Sequence, residues 1–146
     1  MTFTSRQRAW YWTVLLTGGA VLGATGCSTA PQEKLVPVSG KVTVAGKSLT
    51  TGSVTFRPDA SRGNTSPHQP TAPIDAEGHY ELFVPPERKG APPGWYKIVV
   101  FAYDNPRPGR LKSFINTKYQ EEKTTPLTVE VIENPEPGRY DLNLTP

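Results

Sequence analysis

All 16 prolines of this chain lie after residue 30, and that distribution limits what the chain can become. Proline removes a backbone donor and breaks the interior of a helix. Short apolar runs between frequent prolines therefore predict strands joined by turns. Such a composition also occurs in disordered chains, which scatter their apolar residues. Here they come in ordered alternation, so a packed body is expected. A length of 146 residues suits one domain. About 65% of the unfolded surface can be buried at this size, enough for one core.

The first 27 residues read differently. Arg6 and Arg8 form a short basic start, and residues 9–24, AWYWTVLLTGGAVLGA, carry no charge. That run is short of the about 20 apolar residues a membrane-spanning helix needs, and it holds Gly18, Gly19 and Gly23. Its length fits the apolar region of a secretory signal. Arg6-Gln7-Arg8 is not a twin-arginine signal. The run ends in ATGC, residues 24–27, at Cys27, the sole cysteine. This stretch resembles a bacterial lipoprotein signal. The resemblance implies that residues 1–26 are removed and that Cys27 carries fatty chains. Ala24 stands where Leu is more common in such signals. One chain anchors only marginally, at about 0.8 kcal/mol per buried methylene, whereas two or three hold a protein on a membrane. An ordinary cleaved signal and an uncleaved N-terminal anchor are the alternatives. With one cysteine there is no internal disulfide, so stability must come from packing. Ser28 after the cysteine favours the outer over the inner membrane. Residues 27–36 then read as the lipidated terminus and a polar tether.

With Arg6 and Arg8 set aside, 14 basic residues face 13 acidic ones. No run concentrates Lys and Arg, so a nucleic-acid partner is not expected.

Residues 37–146 carry period-two patterns. Val38, Gly40, Val42 and Val44 share one face of the first strand, and Gly46-Lys47 turns the chain. Val54 and Phe56 point inward in the next, which Pro58 ends. A polar loop spans 59–71. Asp75-Ala76-Glu77-Gly78 reads as a tight turn. Tyr80, Leu82 and Val84 follow as an inward row, closed by Pro85-Pro86. Residues 95–103, WYKIVVFAY, are apolar on both faces, which marks a central or covered strand. Tyr96, Ile98, Val100 and Ala102 form one row, and Trp95, Val99, Phe101 and Tyr103 the other. A second long connection covers 104–125. Leu127, Val129 and Val131, then Tyr140, Leu142 and Leu144, complete the inward rows. About seven strands without a convincing helix predict an all-β, antiparallel two-sheet sandwich.

Five segments carry a second resemblance: VSGKVTVAGKSLTTGSVTFRP, IDAEGHYEL, PPGWYKIVV, KYQ with TTPLTVEV, and YDLNL. Residues 37–146 look like the carboxypeptidase regulatory-like, transthyretin-like domain found in small bacterial lipoproteins. The resemblance implies a seven-stranded, Greek-key β-sandwich of the prealbumin type. It implies no particular activity, because a fold does not fix a role.

Catalytic chemistry has little to draw on. The hydrolase related to this fold uses histidines, an arginine and a Tyr-Arg-Gly-Ser or -Thr ending, whereas this chain ends Tyr-Asp-Leu-Asn-Leu-Thr-Pro. His68 lies in a polar loop and His79 on an outward strand face. Neither stands in a recognisable arrangement of nucleophile, base and orienting group. No enzyme, metal or cofactor is expected. Asp75 and Glu77 lack the spaced ligands of a calcium loop, and two isolated histidines make no zinc site. Two non-catalytic readings remain. One is an envelope lipoprotein displaying a structural or protein-contact domain. The other is a glycan-binding module that uses Trp95, Phe101 and Tyr103. The plainer account of those aromatics is that the loops 59–71 and 104–125 cover them.

Overall fold

The computed structural model describes residues 33–104 and 112–146. Residues 1–26, Cys27 and most of the expected tether lie outside the described residues.

Strand β1 (Ser39–Val44) buries Val42 and turns tightly into β2 (Lys47–Ser48). Val44 opposes Lys47, so the loop is the pair Ala45-Gly46. Both have positive φ, 49° and 79°, as a hairpin turn matched to strand twist requires. The sequence places this turn one residue later. β3 (Ser53–Pro58) alternates as expected, with Val54 and Phe56 fully buried. A 3-10 turn at Ala60–Arg62 follows, capped by Asp59, whose carboxylate accepts from the Ser61 amide at 3.1 Å. Next come β4 (Thr71–Pro73), β5 (His79–Glu81), β6 (Phe83–Val84), β7 (Arg88–Lys89) and β8 (Gly94–Phe101). β9 (Tyr103–Asp104), β10 (Lys112–Ser113), a 3-10 turn at Thr117–Gln120, β11 (Thr128–Val131) and β12 (Leu142–Leu144) complete the chain.

One sheet has six strands in the order β11-β8-β3-β4-β6-β7, and every pairing in it is antiparallel. β9 and β10 form a separate two-stranded pair, and the remaining sheet is built on β1. Its first half pairs with β5, and its second half lies between β2 and β12. The β1–β12 pairing is parallel, with Val42 opposite Leu142 and Val44 opposite Leu144. Val42, Tyr80, Leu142 and Leu144 from this sheet meet Val54, Phe56, Tyr96 and Ile98 from the other in one hydrophobic core. The Phe56 ring centroid lies 6.4 Å from that of Tyr80 and 5.7 Å from that of Tyr96. Removing such a ring typically costs about 3–5 kcal/mol.

The all-β class is as expected, but the strands are more finely divided. The inward row Tyr80, Leu82, Val84 is buried throughout, yet the chain changes sheets at Leu82. β5 pairs with β1, while β6 pairs with β4. The second long connection is also more than a loop. Ile115 and Tyr119 enter the core, and the buried Thr125 hydroxyl donates to the Ile98 carbonyl at 2.7 Å. Packing reaches back to Val36, inside the stretch read as tether. Val36 is buried and exchanges two backbone hydrogen bonds with Ala91, at 2.8 and 2.9 Å.

Gly40 is the one position on the inward row of β1 without a side chain. A Cβ there would run into the Tyr140 carbonyl and the Tyr80 ring. This close approach lets the buried Tyr80 hydroxyl donate to the Tyr140 carbonyl at 2.6 Å. The Tyr140 hydroxyl in turn accepts from the Ile132 amide at 3.2 Å. One residue thus ties the end of β11 to β5 and β12.

Tyr80→Phe leaves that carbonyl unpaired and should cost about 1–2 kcal/mol by chemical denaturation. Burial, reinforced by the Asp141 carboxylate, pushes the Tyr80 hydroxyl well above its ordinary value of 10.0. The raised value adds stability that is present below pH 10 and lost as pH climbs beyond it. Denaturation between pH 8 and 11 should show that loss in the wild type and a smaller one in the variant.

Candidate functional site

The six-stranded sheet sends Tyr96, Ile98 and Val100 of β8 into the core and turns Trp95, Lys97, Val99 and Phe101 to its outer face. The register builds rows across this face. Glu130 is opposite Trp95, while Thr128, Lys97 and Arg57 are successive neighbours. Thr55 is opposite both Val99 and Thr71, and Ser53 is opposite Phe101.

The three aromatics do not form one platform. Trp95 and Phe101 are six residues apart on an extended strand, about 20 Å at 3.3 Å per residue. Each is half-buried. The Arg62 guanidinium lies 4.5 Å from the Trp95 ring centre, a cation–π contact that places the first loop over the indole. Arg62 is held there by Asp59, at 3.6 Å. The Asp59 carboxyl is kept below its usual range, chiefly by the Ser61 hydroxyl 2.5 Å away, against an opposing effect of burial. At the other end Phe101 stacks on Tyr103, with centroids 6.4 Å apart. Tyr103 donates to Gln120 Oε1 at 3.3 Å and remains 37% exposed. Between them Val99 is buried, and the Thr117–Gln120 turn packs along β8. Loop cover therefore accounts for Trp95, while the Phe101–Tyr103 pair stays partly open.

The histidines fare differently. His79 is exposed, and its backbone amide donates to Asp75 Oδ1 at 2.7 Å. The same oxygen takes the Glu77 amide at 3.0 Å, and Gly78 has φ 87°. Asp75 is thus committed to the hairpin turn. His68 sits in an unforeseen cluster. Its Nε2 is 3.5 Å from Glu33 Oε2 and 3.5 Å from the Arg88 guanidinium. Arg88 donates to Nε2 when that nitrogen carries no proton, and the Glu33 contact is an ion pair only with a protonated ring. The Ser66 hydroxyl donates to the same Glu33 oxygen at 3.3 Å and accepts from the His68 amide. A serine nucleophile needs its hydroxyl on the imidazole. Here serine and imidazole both face the carboxylate, so the cluster holds the start of the body rather than activating Ser66. Among the described residues no three His, Cys, Asp or Glu side chains are placed to hold a metal ion.

Two grouped features escaped sequence reasoning. Glu33, Ser66, His68 and Arg88 come from three separate segments, and only folding joins them. Arg57 and Lys97 share an outward face in their separate patterns, but their adjacency depends on strand register. Searches of family models, of curated proteins and of solved structures return no match to this chain.

Arg62→Ala should uncover Trp95. In a Trp10→Phe, Trp12→Phe background the indole should become more accessible to acrylamide quenching, with a stability loss of roughly 0.5–1 kcal/mol. Unchanged quenching would mean that Arg62 does not shield the ring.

Proposed function

We propose that this chain is a non-catalytic lipoprotein of the bacterial cell envelope, displaying an all-β body for structural or protein-contact purposes. The observation that carries the reading is the sequence of residues 6–27. A basic start and an uncharged run end in ATGC at the only cysteine. A thiol used once, as the site of lipid attachment, explains why there is one and why it stands there. Residues 1–26 are then removed, and Ser28 directs the product to the outer membrane.

The body suits such an anchor. The core engages the chain from Val36, so at most about 30 Å of extended polypeptide separates it from Cys27. This proposal includes the finer architecture, a seven-stranded transthyretin-like sandwich over residues 37–146. In it β1 and the long β8 are main strands of the two sheets, and the chain passes from one sheet to the other at Leu82.

Metabolic labelling with a fatty-acid analogue tests the anchor. The wild type should take up label and lack residues 1–26 by mass. Cys27→Ala should take up none. Equal labelling of the two would end the proposal.

A further inference from the structure

We propose that Nε2 of His68 is the switching atom of a pH-dependent latch that holds residues 33–35 against the β body. That nitrogen lies 3.5 Å from Glu33 Oε2 and 3.5 Å from the Arg88 guanidinium. It offers either a lone pair or a proton, so it cannot serve both neighbours at once. Without a proton it accepts from Arg88, and the neutral ring then carries its hydrogen on Nδ1. With a proton it completes an ion pair with Glu33, and Arg88 loses its acceptor.

The same segment has other holds, and they keep their charges between pH 5 and 8. Lys34 Nζ donates to Glu133 Oε1 at 2.5 Å, and the Ser66 hydroxyl donates to Glu33 Oε2 at 3.3 Å. Val36 exchanges two backbone hydrogen bonds with Ala91. Carboxylates ordinarily titrate near about 4, and lysine and arginine above about 10. The charged groups against the ring are Glu33 from the N-terminal segment and Arg88 from β7. Arg57 reaches the next residue, Gln69, at 3.1 Å. The Tyr96 hydroxyl, in the field of Glu33, donates to the Pro92 carbonyl. In this cluster the imidazole is the group whose charge changes in that window.

Because the Glu33 ion pair exists only with the protonated ring, docking of 33–35 tightens as pH falls through the histidine range and loosens as it rises. The Arg88 charge acts on the ring whether or not the segment is docked, so it leaves that direction unchanged. The His68 and Glu33 side chains are 34% and 38% exposed, and ion pairs so open to solvent are weak. The ratio of docked to released segment should therefore change about threefold between the two charge states. One consequence rests on the lipoprotein reading: docking at Glu33 leaves at most about 20 Å of extended chain to Cys27, against about 30 Å from Val36.

The latch itself needs no lipid, and Cys27 labelling is read separately, so either can fail alone. The test is NMR of the full chain in detergent at pH 5.5 and pH 8. Backbone order at Lys34 and Leu35 should be higher at pH 5.5, with the docked-to-released ratio from their averaged amide shifts about threefold larger. Val36 should stay ordered at both. His68→Gln and Glu33→Gln should each remove the difference, and His79→Gln, in the exposed hairpin, should leave it. At pH 8 the ring nitrogen shifts of His68 should place its hydrogen on Nδ1, and Arg88→Ala should move it toward Nε2. Equal order at the two pH values in the wild type, a difference that survives in either His68→Gln or Glu33→Gln, or a neutral ring with its hydrogen on Nε2 would each overturn the proposal.

Discussion

β8 has apolar side chains on both faces, and most of the structure serves to cover them. Its inner row meets the β1 sheet through Phe56, Tyr80 and Tyr96. Its outer row would leave an oily stripe in water. The chain answers with two connections, one laying Arg62 on Trp95 and one whose Thr117–Gln120 turn packs along the strand. Both are pinned by polar contacts, Asp59 with Ser61 and Thr125 with the Ile98 carbonyl. Covering the strand shapes what remains visible on that side: a charged row across the middle and a stacked aromatic pair at one end.

The strand patterns were legible because burial imposes period two on a half-covered strand. Val54, Phe56, Tyr80, Tyr96, Ile98 and Leu142 are all buried where alternation puts them. The sheet change at Leu82 was not legible, since alternation continues through it while the hydrogen-bond partners switch. Ile115 and Tyr119 were missed because they sit in a polar, irregular segment, where periodicity is silent. Val36 was missed because a single bridged residue makes no pattern.

The candidate sites divide along the same line. The cover over Trp95 could be foreseen from one strand alone, since an apolar outer row demands cover. The meeting of Glu33, Ser66, His68 and Arg88 could not, because it joins segments 20 or more residues apart along the chain. Nor could the adjacency of Arg57 and Lys97, 40 positions apart, which follows from the β3–β8 register alone. Local sequence fixes which way a side chain points. Register decides what it meets, and on this protein the chemistry lies in the meetings.

The parallel pairing of β1 with β12 has a consequence for how the body forms. The first strand of the core waits for the last, nearly a hundred residues later, before its open side is filled. Without residues 142–144, the edge of β1 that faces β12 stays unpaired. The pairing joins segments far apart along the chain, and long-range closure of this kind is slow. A chain without residues 142–144 presents an open sheet edge, prone to joining with copies of itself.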